Sequence, residues 1–270
     1  MPAVRRYKRR TPSKARAPAG RMRSRGARPV SSKVKTYVQR AIHRNVENKS
    51  IQYNGGFTMV NYADDNTMRG FALSPGTTIA IAQGDGAGDR TGNRIKIMKA
   101  RLVYWMVPAA YNGLLNPQPK PLLVRLWIGY SKTNPTLIPP AGDQATLFQN
   151  GNAAAAPNGF INDILRSVNK DKFVIFRDIK HKLGNADLTG TGFTAGSQYY
   201  SNNDFKYNIM KSIDITKYLI NTVSYNDTTA IPTSRGLFCW VQIVYADNTV
   251  TTGVIPANFN YFVDITFEDG

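Results

Sequence analysis

Asn93 to Val107 read NRIKIMKARLVYWMV, and the fold class turns on this stretch. Ile95, Ile97, Val103, Trp105 and Val107 share one face, while Lys96, Met98, Tyr104 and Met106 share the other. That is the period of a strand with one side in a core. The loop GDGAGDRTG (84 to 92) leads into it. Working outward, runs of the same kind fall near 51 to 62 (IQYNGGFTMVNY), 70 to 73, 78 to 82, 121 to 131 (PLLVRLWIGYS), 172 to 180 (KFVIFRDIK), 204 to 215 (DFKYNIMKSIDI), 236 to 247 (GLFCWVQIVYAD) and 258 to 267 (NFNYFVDITF). Clusters of Gly, Pro, Asn and Asp separate them. Gly159 to Val168 (GFINDILRSV) carries a short helical period. About eight major strands and few helices predict an all-β antiparallel sandwich or barrel, with short helices in loops. No strand-helix alternation supports a doubly wound nucleotide fold, and no internal repeat supports a propeller.

Charge divides the chain differently. Residues 1 to 30, MPAVRRYKRRTPSKARAPAGRMRSRGARPV, hold eleven Lys/Arg and no Asp or Glu. Such a segment has almost no large apolar side chains and repels itself, so folding would not recover its conformational entropy. It predicts a disordered basic arm whose stable partner is a polyanion. Residues 1 to 49 carry sixteen cations and Glu47, a net +15, and the remaining residues of the chain carry nineteen cations and sixteen acids, a net +3. Charge concentrated this way points to sequence-indifferent neutralisation of phosphates more than to a groove that reads a duplex. Between arm and body, SSKVKTYVQRAIHRNVENK (31 to 49) predicts a short basic amphipathic helix over about 33 to 46, with Val34, Tyr37, Val38, Ala41 and Ile42 at helical spacing. The expected organisation is therefore an arm at 1 to 30, a helix and linker at 31 to 49, and a folded β body at 50 to 270.

Catalytic chemistry is hard to find. His43 and His181 are the two histidines, each among cations, and read as structural or surface groups. Neither HExxH, GxSxG, paired CxxC nor GxxxxGK[ST] occurs. The glycine-rich loop at 84 to 92 lacks the Lys-Ser/Thr ending and leads into a strand, so it reads as a turn and not a phosphate cradle; Asp85 and Asp89 are weak candidates for an ion. Asp163, Asp178 and Asp264 show no pairing pattern, and neither a cofactor nor a metal is expected. Trp105, Trp127 and Trp240 read as core, with no interleaved aromatic and basic platform visible. The one cysteine, Cys239, reads as a buried strand residue. No apolar stretch is long enough to cross a bilayer as a helix, so no membrane partner is expected.

The order of the basic arm, GDRTGNRIKIMKARLVYWMV (88 to 107), VRLWIGYSKTNP (124 to 135), FINDILRSVNKDKFVIFRDIKHKLG (160 to 184), DITKYL (214 to 219) and SRGLFCWVQIVYAD (234 to 247) resembles capsid proteins of circular, Rep-encoding single-stranded DNA viruses, the circovirus-like group. The likeness lies in order and spacing over most of the chain. It implies a single eight-stranded jelly roll and a non-enzymatic coat protein. It also implies self-assembly of about sixty copies into an icosahedral T=1 shell around single-stranded DNA. The family's arm positions fall on Arg5, Arg6, Lys8, Arg9, Arg10, Lys14, Arg16, Arg21, Arg23, Arg25 and Arg28, which the resemblance makes nucleic-acid contacts. Arg5, Arg6, Lys8, Arg9 and Arg10 would double as a nuclear localisation signal read by import receptors, giving a virion protein that passes through the host nucleus. The helical segment at 31 to 46 departs from the circovirus pattern, and coat proteins of small RNA viruses share both arm and sandwich. A non-viral nucleic-acid-binding protein with a basic tail is the remaining alternative.

Overall fold

The computed structural model describes residues 31–45, 48–66, 68–110, 112–117, 119–133, 144–151, 153–184, 205–226, 229, 231–250 and 253–269. The chain divides into two units, Met1–Asn45 and Val46–Gly270. In the first, helix α1 spans Ser32–Asn45. Ser31 begins it by accepting the Val34 amide on its hydroxyl at 3.4 Å, the expected service of an N-cap serine.

The second unit is a two-sheet antiparallel sandwich. Its strands are β1 (Asn48–Met59), β2 (Arg69–Ala72), β3 (Arg94–Pro108), β4 (Leu122–Ser131), β5 (Phe148–Asn150), β6 (Ala153–Ala155), β7 (Phe173–Leu183), β8 (Ile209–Asp214), β9 (Thr222–Ser224), β10 (Phe238–Tyr245) and β11 (Ala257–Asp269). One sheet runs β1-β11-β3-β8 with β9 added to β3, the other runs β2-β10-β4-β7, and β5 and β6 form a separate ribbon. Among the eight long strands the chain changes sheet at every step except β4 to β7. Two interlocked Greek keys of this order make a jelly roll. Short helices α2 (Tyr62–Asp65) and α3 (Asn162–Leu165) lie in connections. The run at 78 to 82 forms no strand, although Ile79 and Ile81 are fully buried, so its alternation marks an anchored loop.

The β3 stretch folds as a strand, but beyond Met98 its residues face opposite ways to the simple alternation. Lys99 pairs with Thr266 and Ile97 with Phe267, which leaves Met98 as an extra residue. A bulge of one residue exchanges the faces beyond it. Ile95, Ile97, Ala100, Leu102, Tyr104 and Met106 therefore line the core, whereas Trp105 stands outside, 40% exposed. The expectation of a buried Trp105 fails for this reason.

β4 and β10 are apolar on both faces, and both faces are covered. Val124, Leu126, Ile128, Cys239, Val241 and Ile243 face the space between the sheets. Trp127, Phe238 and Trp240 face the other way, into a second cluster with Met68, Leu147, Phe148 and Phe173. Part of that cover comes from the segment between β4 and β7, so the four-stranded sheet has a core on either side.

Candidate nucleic-acid interface

All eleven predicted arm contacts, Arg5 to Arg28, lie outside the described residues, as does the side chain of His43. The described cations nearest in sequence are on α1, where Lys33 and Lys35 are exposed together with Val34, Tyr37 and Val38. Beyond it the chain enters β1, and there the cations are partnered. Lys49 pairs with Asp269 at 3.0 Å and donates to the Asp89 carbonyl at 2.8 Å, Lys96 pairs with Glu268 at 3.5 Å, and Arg101 pairs with Asp264 at 3.5 Å. On the five-stranded sheet these opposite charges face each other across neighbouring strands.

The loop at 84 to 92 is held as a turn. Asp89 accepts the Gly86 amide at 3.1 Å, and buried Arg90 donates to the carbonyls of Gly92 and Thr229 at 2.6 and 3.0 Å. Its guanidinium lies 4.4 Å from the centroid of the Tyr225 ring. Among the described residues no group of three or more His, Cys, Asp or Glu could hold a metal ion. No described helix is long and apolar enough to cross a membrane.

The acids that looked unpaired in the sequence are paired in space. Arg125, 2% exposed, forks onto Asp178 at 2.9 and 2.6 Å and also donates to the carbonyls of Asp163 and Arg166 at 2.6 and 2.8 Å. Asp163 is fully buried and accepts the amides of Asn158 and Gly159 and the side-chain amide of Gln242 at 2.7, 2.8 and 2.6 Å. Burial pushes its carboxyl up from the usual range, against those hydrogen bonds and the Arg166 charge. Partners separated by tens of residues carry no local sequence signal, which is why this cluster was not legible.

His181 ends up between the sheets. Its Nε2 lies 2.7 Å from the Tyr104 hydroxyl, at a cavity of about 570 Å³ between the edge strands β7 and β8 that Lys211, Lys217 and Arg177 also line. Burial, then the charges of Lys211 and Lys206, hold the imidazole below its ordinary pKa of 6.5. The unfolded chain therefore takes up this proton at a higher pH than the folded one. Stability from His181 is complete above pH 6.5 and is lost as the pH falls toward the lowered folded value. The slope from this one group is at most about 1.4 kcal/mol per pH unit. We expect that part of the acid sensitivity to disappear in His181→Gln, measured as urea midpoints of both proteins against pH; parallel curves would remove the assignment.

No protein-family model and no curated protein sequence matches the chain. Among solved structures it is similar to a chain of Desmodium yellow mottle tymovirus, at 11% sequence identity over 83% of this chain and 89% of that one, with a TM-score of 0.33. It is also similar to a chain of mud crab tombus-like virus, at 14% identity over 98% and 93%, with a TM-score of 0.30. Neither belongs by name to the circular single-stranded DNA group that the sequence resembles.

Proposed function

We propose that the chain is the coat protein of a small virus, assembling with copies of itself into a closed shell that packages single-stranded nucleic acid. The observation that carries this reading is the partition of charge. Residues 1 to 49 hold +15 of the chain's +18, and the body after them is a jelly roll with a net charge of only +3. A segment of that kind grips phosphate by counterion release, and a rigid two-sheet body supplies flat faces for tiling. With about sixty copies, the interior would carry on the order of 900 positive charges, able to neutralise a comparable number of phosphates. Arg5, Arg6, Lys8, Arg9, Arg10, Lys14, Arg16, Arg21, Arg23, Arg25 and Arg28 are the proposed contacts, and the first five are the proposed nuclear import signal. Single-stranded DNA is the cargo implied by the resemblance; the coat protein of a small RNA virus, a class that shares both arm and sandwich, is the second reading.

The test is electron microscopy of the expressed chain, with nuclease digestion of whatever nucleic acid co-purifies. Closed particles protecting a cargo are expected, and sensitivity of the extracted cargo to DNase or RNase identifies its sugar. Removing residues 1 to 30 is expected to spare the fold and lower the protected cargo. Binding of single strands should weaken with salt at a log-log slope bounded near about 11, if all sixteen amino-terminal cations engage. A chain that stays monomeric at high concentration in physiological salt overturns the reading.

A further inference from the structure

Tyr130 near the end of β4, Phe176 in β7 and Tyr218 in the 3-10 turn Thr216–Tyr218 are remote in sequence, yet their rings form one run. The Tyr130 and Phe176 centroids are 5.8 Å apart, and Phe176 stacks on Tyr218 at 5.0 Å with 14° between the planes. Cations frame the run at both ends. The Arg235 guanidinium lies 3.7 Å from the centroid of the Tyr130 ring. At the other end Lys217 Nζ and the Arg177 guanidinium lie 5.2 and 6.0 Å from the Tyr218 centroid, and Arg177 Nε donates to the Tyr218 hydroxyl at 2.7 Å.

A bulge aims the central ring. Ile128 pairs with Arg177 and Gly129 with Ile175, so Phe176 has no partner across the ladder. At Gly129 a Cβ would stand 2.2 Å from the Val174 carbonyl oxygen, so only glycine admits this close approach of the two strands. The result is a large ring, 37% exposed, at the outer edge of the four-stranded sheet. Bulges next to binding sites commonly re-aim a side chain in this way.

Cavities flank β7 on both sides. One, about 570 Å³, is lined by Arg177, Lys211 and Lys217; the other, about 660 Å³, is lined by Arg177, Lys132, Lys170 and Lys180. Each cavity is lined by one carboxylate, Asp214 in the first and Asp178, bonded to Arg125, in the second, so the cations outnumber the acids in both. The surplus around the rings is therefore positive. An exposed Phe176 flanked by the partly exposed Tyr130 and Tyr218, set among surplus cations, suits a base with its phosphates.

We propose that Tyr130, Phe176 and Tyr218 form a stacking platform on the folded body for single-stranded nucleic acid, with the lysines of the two cavities and Arg177 taking the phosphates. This rests on the reading of the chain as a packaging shell protein and adds to it a second contact, separate from the amino-terminal arm. Stacking does not depend on counterion release, so salt separates the contacts: the arm's binding and the lysines' share of the platform's fade, while the stacking on the rings persists.

The experiment uses the full chain. Ultraviolet crosslinking of a short oligo(dT), mapped by mass spectrometry, is expected to mark Phe176 or Tyr218 as well as residues within 1 to 45. At high salt, the double variant Phe176→Leu/Tyr218→Leu is expected to bind the oligonucleotide about 5- to 150-fold more weakly, with binding restored when the second change is Tyr218→Phe and Phe176 is kept. Crosslinks confined to residues 1 to 45, or unchanged high-salt affinity in the variant, overturn the proposal. So does a loss of assembly with unchanged oligonucleotide binding, which would make the site a seat for an acidic segment of a neighbouring copy. If circular dichroism shows the double variant unfolded, the crosslinks of the parent chain and the affinity of Lys211→Gln/Lys217→Gln decide. Particles that form and carry cargo while these tests fail remove the platform alone; absence of particles removes the shell reading.

Discussion

Replacing Arg125 by Met is expected to lower the unfolding free energy by about 2–4 kcal/mol, the cost of removing a buried charged donor and leaving a buried acceptor unsatisfied. The side chain's volume is nearly kept, so packing is not the main loss. What is lost is a fork that serves four acceptors, both Asp178 oxygens and the carbonyls of Asp163 and Arg166. Asp178 is 37% exposed and can turn to water, but the Asp163 carbonyl, in the segment that covers the outer core, is buried and is left without that donor. The guanidinium also lies 4.8 Å from the Trp127 centroid, a contact that Met makes without charge. Arg125→Lys is expected to recover little, because an ammonium cannot span these acceptors in one plane. By contrast, Arg69→Met breaks the exposed pair Arg69–Asp65 and should cost no more than about 0.5 kcal/mol. Urea denaturation of the three variants measures this; an Arg125→Met midpoint close to that of Arg69→Met would show that the cluster does not hold the outer layer.

Range in sequence decides which features of this fold are legible before the chain folds. Strand positions are local, and NRIKIMKARLVYWMV, PLLVRLWIGYS and GLFCWVQIVYAD carry period or unbroken apolarity enough to place β3, β4 and β10 within a residue or two. Facing is not local when a bulge intervenes, so the inward set of β3 beyond Met98 is opposite to the simple alternation. Continuous apolarity in β4 and β10 signals burial on both sides without saying what covers the second side. Contacts between remote residues leave no trace at all: Arg125 with Asp163, His181 with Tyr104, and the run of Tyr130, Phe176 and Tyr218 each join different strands or turns. The platform is invisible in the sequence because its aromatics and cations interleave only after the chain folds.

Trp240→Ala is expected to cost about 3–5 kcal/mol, while Trp105→Ala costs under about 1 kcal/mol, although both tryptophans sit in apolar strands of similar look. Trp240 is fully buried in the outer core, 5.3 Å from Phe173 and 4.8 Å from Phe238 between centroids. Gly70 of β2 lies against its indole, where a Cβ would come within 2.4 Å of the ring, so the site is shaped around that side chain. Truncation leaves a cavity walled by β2, β4 and the covering segment, and close-packed interiors collapse into such space only partly. Trp105 pairs across to Asn260 and Met210 on the outer face of the other sheet and loses only partial burial. The two variants separate burial from strand membership, since hydrophobicity and β-propensity change equally in both. Denaturation midpoints at a fixed pH give the comparison, with an unchanged urea slope as the check that the unfolded states match. Equal losses from Trp105 and Trp240 would mean that the outer face of the five-stranded sheet is covered as fully as the outer core.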